Sequence, residues 1–470
     1  MESACAPAMC MQPRAPRYRP RRVGDDVLSQ VIDLHLASFI EEVEERGGCV
    51  PRTVQRAFWA YLDCGRPEGG FILLRCDCGK ARILPFSCKN RGFCPSCLGR
   101  RMSQLSANLA DSVLPSGVPL RQWVLSFPYP VRLWLLWRPK LRKAVLAVVQ
   151  RLLFRWYERR AAAAGAPAGG RTGAIVCAQP FGGALNANLH FHMLLLDGVY
   201  TKDEATGELA FHNVRPPSDE EVEALVVELR RRVERLLRRR GLWSESGPAD
   251  EVPTPTLLGV PTGHEAVRQS SPRPRRKLPP KCAESGFFNL HAGVRIADRD
   301  EEGKERLLRY LLRPPLVLDR LSMRDDGRVV LRLKNAWRDG TTALVLTPFE
   351  FLARLAALVP RPRERWLVPL GVLAPAARWR SEVVPDDEER TKRRSARQAL
   401  HSPRTAPRVR RARWRSYVPW RELLARVFGV EGLLCSCGLL MYVHAVVMGH
   451  ATVRALHTLR SSPSLIRGPP

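Results

Sequence analysis

The apolar positions of the chain follow a helical period in some segments and a strand-like pattern in others. The clearest helix is Ser218–Arg240, where Ser218 and Glu221 form a capping box and Gly241 follows as a C-terminal glycine. Similar spacing predicts helices at 25–46, 139–159 and 301–312, and short apolar runs predict strands at 122–126, 174–178, 289–295, 329–333 and 342–346. Helices and strands therefore occur along the same chain.

Three stretches interrupt this pattern. Residues 1–23 are rich in Pro and Arg, and residues 244–283 are rich in Pro, Ser and charge. Residues 390–415 hold 11 Lys and Arg and no acidic residue. Such stretches are typical of linkers and unfolded tails, and the last is suited to non-specific contact with DNA.

The chain is strongly basic. Its 470 residues carry 76 Lys and Arg against 46 Asp and Glu, a formal net charge of +30. A compact chain with this excess repels itself, so a polyanionic partner is expected, with nucleic acid first. Arg accounts for 66 of the basic residues, which indicates coding bias and weakens the charge argument.

The sequence offers no sign of membrane insertion or export. No uncharged apolar run reaches the ~18 residues that span a bilayer, and the N-terminus lacks the apolar core of a signal peptide. We therefore expect a cytoplasmic protein. In that reducing compartment its 13 cysteines are expected to bind metal rather than to form disulfides.

A dense group of cysteines occupies the stretch CDCGKARILPFSCKNRGFCPSC. The five cysteines of this stretch are Cys76, Cys78, Cys88, Cys94 and Cys97, and Cys64 lies upstream. Zn²⁺ takes four thiolates in a tetrahedron, and a Cys-x-x-Cys turn presents two of them. The predicted structural zinc site is Cys76, Cys78, Cys94 and Cys97, with Cys88 in reserve and Cys64 as a packing residue. A cluster of buried free thiols is the alternative.

A second cysteine pair, Cys435 and Cys437, lies in the tail of the chain. Its spacing is one residue shorter than the usual zinc knuckle, as is that of Cys76 and Cys78. No further pair occurs beside it in the sequence, so the spacing leaves its metal binding open.

Two histidines, His190 and His192, stand just before an apolar run. On a strand, positions i and i+2 point to the same face, so both imidazoles would converge. The turn-rich FGGALN predicts a β-hairpin that places Gln179 about opposite His190. Two imidazoles and one side-chain oxygen would leave open positions for phosphate oxygens, which suits Mg²⁺ or Mn²⁺. The alternatives are a chance spacing and a surface glutamine.

Tyr310 lies on a predicted helix among Arg306, Arg309 and Arg313. Neighbouring guanidinium groups attract phosphate and are candidates for binding DNA. A tyrosine can attack phosphorus as a covalent nucleophile. The alternative is a tyrosine that packs an amphipathic helix, and seven other tyrosines occur in the chain.

Four blocks in this order resemble the HUH-type rolling-circle transposases of the insertion-sequence-ninety-one family, over about residues 17–445. The family's zinc-binding region is similar to FSCKNRGFCPSCLGRRM at 86–102, and its HUH block is similar to QPFGGALNANLHFHMLLLDGVY at 179–200. Its tyrosine block is similar to FNLHAGVRIADRD at 288–300 with RYLLRPPL at 309–316, and its last block to GVLAPAARWR at 371–380. Some members carry a second tyrosine four residues earlier, where this chain has Arg306, so the chain resembles the single-tyrosine branch.

The resemblance implies an α+β fold with a ferredoxin-like HUH endonuclease core, in which the HUH strand is central in an antiparallel sheet. It implies that His190 and His192 bind a catalytic Mg²⁺ or Mn²⁺. Tyr310 would attack a DNA phosphate and form a 5′-phosphotyrosine intermediate. Rolling-circle transposition of single-stranded element ends would follow. The protein would also bind a structural Zn²⁺, associate with the bacterial nucleoid, and act on neither a membrane nor a small-molecule substrate.

The domain organisation follows from these blocks and the interrupting stretches. We expect a disordered basic N-terminus at 1–23, followed by a helical and zinc-binding domain at 24–105. The HUH catalytic domain is expected at 115–380, with a linker insertion at 244–283. A disordered basic linker at 381–416 and a tail module at 417–470 are expected to follow.

Two other functions stay open. A plasmid replication initiator or relaxase shares the HUH core but is not expected to carry the cysteine-rich module. A catalytically inactive, zinc-dependent DNA-binding protein would bind DNA in a salt-sensitive manner and form no covalent product.

Overall fold

The computed structural model describes residues 24–244, 247–248, 265–268, 278–337, 339–401, 420–428, 431–448 and 465–467. The sequence-based predictions for 1–23, for most of 244–283, for 402–419 of the basic linker and for most of the tail beyond 448 lie outside these residues.

Helices and strands alternate along the described chain. The helices are α1 (Val27–Glu45), α2 (Arg52–Leu62), α3 (Pro95–Ser112), α4 (Tyr129–Trp137), α5 (Pro139–Ala163), α6 (Asp219–Arg238), α7 (Glu301–Leu311), α8 (Pro348–Leu358), α9 (Arg380–Val383), α10 (Asp387–His401) and α11 (Trp420–Phe428), with 3-10 turns at Pro67–Gly69 and Leu318–Arg320. The predicted capping box of Ser218 and Glu221 is present at the start of α6. None of the helices in the described residues is long and apolar enough to cross a membrane.

The strands in the described chain form five sheets, in which every pairing except that of β18 with β2 is antiparallel. They are β1 (Phe71–Arg75), β2 (Ala81–Pro85), β3 (Leu120–Ser126), β4 (Gly173–Phe181), β5 (Ala187–Leu196), β6 (Gly198–Lys202), β7 (Leu209–Asn213), β8 (Trp243–Ser244), β9 (Gly247–Pro248), β10 (Glu265–Arg268), β11 (Cys282–Ser285), β12 (Phe288–Ile296), β13 (Leu321–Met323), β14 (Val329–Arg332), β15 (Thr341–Leu346), β16 (Leu367–Gly371), β17 (Tyr442–Val447) and β18 (Leu465–Arg467).

The chain forms two compact units. The large unit comprises Val23–Cys64 and Ser87–Thr391, and the small unit is formed by Gly65–Phe86 together with parts of the chain after Thr391. The small unit holds the hairpin β1–β2, with β17 paired to β1 in antiparallel and β18 paired to β2 in parallel.

A six-stranded sheet in the order β11-β12-β3-β5-β4-β16 forms the centre of the large unit. Every neighbouring pair in this sheet is antiparallel. The strand that carries His190 and His192, β5, lies between β3 and β4 and is therefore central. The expected α+β class and the central antiparallel position of the HUH strand are confirmed.

Alternating side chains of β5 face two different layers of helices. Leu189, Phe191 and Met193 join the apolar cluster formed with α4, α5 and α6. Leu194 and Leu196, of opposite parity, join the cluster formed with α3 and α7. Because the side-chain period of a strand is two, His190 and His192 lie on the face covered by α7.

A third apolar cluster connects the cysteine-rich region with the tip of the β4–β5 hairpin. It joins buried residues of α1, α2, β14, β15 and α8 with Cys64, Cys94 and Cys97. Ala184 and Leu185, from the hairpin turn, are buried in the same cluster. The hairpin tip and the cysteines therefore share one core.

A buried network anchors the end of β5. Asp197 is 1% exposed and accepts hydrogen bonds from Nε and Nη2 of Arg121, both at 2.8 Å. It also accepts from the hydroxyl of Tyr157 at 3.0 Å, which in turn accepts from the Trp123 indole N–H at 3.1 Å. Burial, followed by the charge of Asp197, raises the pKa of Tyr157 well above its usual value. The carboxylate therefore neutralises a guanidinium that water cannot reach.

Asp197→Ala is expected to destabilise the protein by about 3–5 kcal/mol, because it leaves the buried charge of Arg121 without its partner. The measurement is the shift of the urea unfolding midpoint, with Asp319→Ala on the exposed surface as the control. The control is expected to change stability by less than about 0.5 kcal/mol. If both variants unfold at the same urea concentration, the network does not contribute the expected free energy of unfolding.

The structure corrects the predicted unstructured linker in one part. Helix α10 occupies Asp387–His401, inside the 381–416 segment. Three acidic residues fill its first turn, which favours a helix N-terminus, and the first proline after them is Pro403. The prediction gave the basic charge too much weight and overlooked the acidic start of the segment.

Candidate active site and zinc site

The β4–β5 hairpin brings the candidate ligands together. Gln179 on β4 pairs in register with His190 on β5, as the sequence predicted, and Cys177 pairs with His192. The turn between the strands contains Leu185 with a φ of 57°, the left-handed region. Residues directly opposite each other share a face of the sheet, as do positions i and i+2 of one strand, so Gln179, His190 and His192 lie on the same face.

The two imidazoles, here called the histidine pair, face each other directly. Their Nε2 atoms are 3.1 Å apart. Nδ1 of His190 is 2.7 Å from the backbone carbonyl of Asn188. A carbonyl can only accept, so Nδ1 of His190 donates and its Nε2 keeps a lone pair when the ring is neutral. The hydrogen bond thus fixes the tautomer that a metal ligand needs.

The second imidazole is held by Gln122 on β3. The side-chain amide of Gln122 lies 2.9 Å from Nδ1 of His192, and both side chains are buried. As placed, the amide nitrogen of Gln122 donates to Nδ1 of His192, so a neutral His192 carries its proton on Nε2. With the amide turned by 180°, the Gln122 oxygen would accept from Nδ1 and leave Nε2 of His192 free to bind a cation. The residue pattern did not single out Gln122, because it precedes the histidine pair by 70 positions.

Both histidines are uncharged at neutral pH. Burial, followed by the charges of His190 and Arg313, lowers the pKa of His192 to about 3. Burial also lowers the pKa of His190, with a backbone hydrogen bond to Asn188 acting in the opposite direction and Arg313 and Arg132 acting in the same one. Neutral imidazoles are the form that binds a metal ion.

Gln179 is the third candidate ligand. It is 2% exposed, and its Nε2 donates to the carbonyl of Leu311 at 3.4 Å. Its Oε1 is buried and has no hydrogen-bond partner among the described residues. Leaving a buried acceptor unsatisfied costs about 1–3 kcal/mol, so a cation is a natural partner for it.

The histidine pair fits a divalent cation in spacing as well as in chemistry. Two ligands about 2.1 Å from one ion and at right angles to each other lie about 3 Å apart. The observed Nε2–Nε2 separation of 3.1 Å matches that value. The separation of the two imidazole nitrogens is therefore compatible with a divalent cation such as Mg²⁺ or Mn²⁺.

Helix α7 places Tyr310 above the histidine pair. Leu307, Leu308 and Leu311 bury the inner face of α7 against the sheet. The carbonyl of Leu311 is bound by the Gln179 amide and contacts the Cys177 thiol at 3.6 Å. The ring centroid of Tyr310 is 5.9 Å from that of His192, and the tyrosine is 43% exposed. The phenol thus stands at the entrance of the site and remains accessible.

The three predicted arginines differ in their surroundings. The guanidinium of Arg313 lies 4.3 Å above the Tyr310 ring. Arg309 lies 3.8 Å from the Glu305 carboxylate, and Arg306 is exposed four residues before Tyr310, on the same face of the helix. Arg132, which the sequence did not single out, also acts on the charge of His190. The site is therefore cationic at its rim.

The structure corrects the predicted zinc ligands. Cys94 and Cys97 meet Cys64 and Cys88 in the large unit, a group called the four-cysteine cluster. Cys76 and Cys78 lie in the small unit and meet Cys435 and Cys437, a group called the tail cluster. The predicted set had combined residues of two groups, and Cys64, expected to be a packing residue, lies among the thiols. Cys76 and Cys78 lie between Cys64 and Cys88 in the sequence, but they belong to the turn of the β1–β2 hairpin and meet Cys435 and Cys437 instead.

The four-cysteine cluster has the dimensions of a zinc site. Sulfur atoms about 2.3 Å from one tetrahedral zinc lie about 3.8 Å apart. Cys64 Sγ is 3.8 Å from Sγ of both Cys94 and Cys97, and Cys88 Sγ is 3.5 Å from that of Cys97. Backbone N–H groups point at two of the sulfurs, from Cys88 to Cys64 and from Asn90 to Cys88. The cluster can hold one structural Zn²⁺.

Two family models match the chain. The family described as "Transposase zinc-binding domain" matches residues 33–127, and the family described as "Putative transposase" matches residues 173–382. The first range contains the four-cysteine cluster, and the second contains the histidine pair and Tyr310. The chain has no match among curated proteins or among solved structures.

A zinc-binding module joined to this α+β core, with both matches, defines a transposase, a DNA-processing enzyme whose partner is DNA. The chain belongs to the insertion-sequence-91 (IS91) family of transposases. Its zinc-binding domain and its cysteine clusters support the binding of structural Zn²⁺.

Proposed function

We propose that this transposase cleaves and transfers single-stranded DNA through a 5′-phosphotyrosine intermediate, as an HUH endonuclease in rolling-circle transposition. The observation that carries the proposal is the approach of Tyr310 to the histidine pair, with ring centroids of Tyr310 and His192 5.9 Å apart. The candidate nucleophile thus lies beside the candidate phosphate-activating site, which is the arrangement that covalent phosphoryl transfer needs.

In this proposal Tyr310 attacks the phosphorus of the scissile linkage. The bond from the tyrosine oxygen to phosphorus forms, and the bond from phosphorus to the 3′-oxygen breaks. The phenol loses its proton, and the departing oxygen gains one to become a free 3′-OH. The broken phosphodiester is replaced by another phosphoester, so rejoining to a second strand needs no nucleotide cofactor.

The arginines around Tyr310 position the DNA. Arg313 lies over the phenol ring, and Arg306 is exposed on the same helical face. Guanidinium groups match phosphate oxygens in charge and geometry. We assign Arg306, Arg309 and Arg313 to the phosphates beside the scissile one, with Arg309 engaged by Glu305 until DNA arrives.

The catalytic cation is part of the same proposal. Bound by His190, His192 and Gln179, Mg²⁺ or Mn²⁺ would polarise the scissile phosphate and neutralise developing charge. Burial of His192 and partial burial of His190 lower the pKa of both imidazoles and so favour their neutral form, and the Gln179 oxygen has no other partner among the described residues.

The proposal is tested with full-length protein and single-stranded oligonucleotides that tile the DNA flanking the gene. With Mg²⁺ or Mn²⁺, a 3′-labelled strand is expected to move with the protein in denaturing electrophoresis. A 5′-labelled strand is expected to be released as a shorter fragment with an extendable 3′-OH. Omission of the divalent cation, rather than chelation, serves as the control and leaves structural zinc in place. Absence of an adduct with every strand and cation would refute the proposal.

The same experiment separates the two other candidate functions. A DNA-binding protein without activity would retard the oligonucleotides in native gels and give no covalent product. A plasmid replication initiator would cleave a plasmid origin rather than the ends of a mobile element, and the flanking DNA distinguishes the two. The matched transposase zinc-binding domain favours the element ends.

The proposed organisation assigns residues 24–105 to a zinc-binding domain and 115–380 to the catalytic domain, with a basic linker and a tail module after them. Action on DNA places the protein at the nucleoid in this proposal.

A further inference from the structure

Two short loops in the small unit share one backbone geometry. Both have the sequence Cys-x-Cys-Gly, one beginning at Cys76 and the other at Cys435. In each loop the N–H of the first cysteine donates to the carbonyl four residues later, at 2.9 and 2.8 Å. The glycine N–H donates back to the first cysteine, at 2.9 and 3.0 Å. Gly79 and Gly438 have φ values of 85° and 89°, which glycine adopts at little cost.

The thiols of these two loops converge. Sγ of Cys76 lies 3.5 Å from Sγ of Cys437, and Sγ of Cys78 lies 3.6 Å from Sγ of Cys435. All four sulfurs lie within 4.8 Å of one another. The separation expected for thiolates on one tetrahedral zinc is about 3.8 Å. The tail cluster therefore has the donor set and the dimensions of a second zinc site.

Contacts around the tail cluster hold both loops independently of a metal. Strand β17 follows the second loop and pairs with β1 from Phe71↔Val447 to Arg75↔Tyr442. The side chain of Lys80 donates to Ser436 at 2.7 Å, between the two loops. Arg82 donates to the carbonyls of Gly432 and Leu434 at 2.9 and 3.2 Å. A metal would thus meet ligands that are already positioned.

We infer that Cys76, Cys78, Cys435 and Cys437 bind a second structural zinc, which fastens the segment 431–448 to the β1–β2 hairpin. The site joins residues up to 361 positions apart. Each Cys-x-Cys loop supplies two of the four thiolates. The inference does not depend on the strand-transfer chemistry, since it concerns only zinc content and the small unit.

The test measures zinc per chain in full-length protein purified under reducing conditions. The paired variants Cys76→Ser/Cys78→Ser and Cys435→Ser/Cys437→Ser are each expected to contain one zinc fewer than wild type. The variant with all four substitutions is also expected to lose one zinc, because both pairs serve the same ion. The control Cys49→Ser/Cys282→Ser, outside both clusters, is expected to lose none.

A loss of two zinc ions from the fourfold variant, or of none from either pair, would overturn the inference. If a variant does not fold, the wild-type protein supplies a second measurement through alkylation with iodoacetamide. The four thiols are expected to react together, more slowly than the exposed Cys49 and with release of one zinc. Reaction of all four at the rate of Cys49, or their recovery as disulfides, would also overturn it.

Discussion

Tyr310→Phe is expected to abolish the covalent protein–DNA adduct, lowering its rate of formation by about a thousandfold or more. The substitution removes only the hydroxyl that would bond to phosphorus. The ring keeps its contact with His192 and with the Arg313 guanidinium. Because the residue is 43% exposed, stability is expected to change by less than about 0.5 kcal/mol. The measurement is the denaturing-gel assay with a 3′-labelled single strand.

The matched control is Tyr442→Phe, since Tyr442 is also exposed and lies in the small unit. It is expected to form the adduct at the wild-type rate, and binding of DNA in native gels is expected to survive in both variants. An undiminished adduct with Tyr310→Phe would show that another of the tyrosines is the nucleophile, and the assignment would then be wrong.

The double variant His190→Ala/His192→Ala is expected to lose the catalytic cation and to slow cleavage by about a hundredfold or more. His192 is buried, His190 is partly buried, and their Nε2 atoms are 3.1 Å apart, so the substitution removes both candidate nitrogen ligands at once. The binding of Mn²⁺, measured by electron paramagnetic resonance, is expected to fall with the rate. Zinc content is expected to stay unchanged, because the four-cysteine cluster has its own ligands.

The control for the histidine pair is His291→Ala, on β12 of the same sheet, where the imidazole has no second histidine opposite it. This variant is expected to keep Mn²⁺ binding and cleavage. Thermal unfolding of the double variant tests whether the sheet remains intact. A folded double variant that cleaves DNA at the wild-type rate would exclude the histidine pair as the site of the catalytic cation.

The local part of the site could be predicted from the sequence. A hairpin with a short turn fixes its own register, so the pairing of Gln179 with His190 followed from the positions of FGGALN and the flanking strands. The same alternation that buries Phe191 sends both histidines to the opposite face. These relations involve residues fewer than 15 positions apart and depend on strand geometry alone.

The long-range part could not be predicted in the same way. The contact of α7 with Gln179 joins residues 132 positions apart, and only the packing of Leu307, Leu308 and Leu311 sets its direction. Gln122 hydrogen-bonds to His192, and the charge of Arg132 acts on His190, but neither residue belongs to a sequence motif that indicates these interactions. Proximity in sequence groups Cys76 and Cys78 with Cys94 and Cys97. This grouping is wrong because Cys76 and Cys78 lie in the turn of the β1–β2 hairpin, where they meet Cys435 and Cys437 instead.

The four-cysteine cluster has a consequence for chain connectivity. Cys64 and Cys88 stand immediately before and shortly after the segment Gly65–Phe86, whose ends are also joined by a hydrogen bond of 2.9 Å from the Gly65 N–H to the Phe86 carbonyl. The loop entropy of an insertion depends only weakly on its length once its ends are tied together. The segment can therefore be lengthened, shortened or exchanged with little thermodynamic effect on the large unit. A change confined to Gly65–Phe86 is therefore expected to leave the six-stranded sheet of the large unit intact.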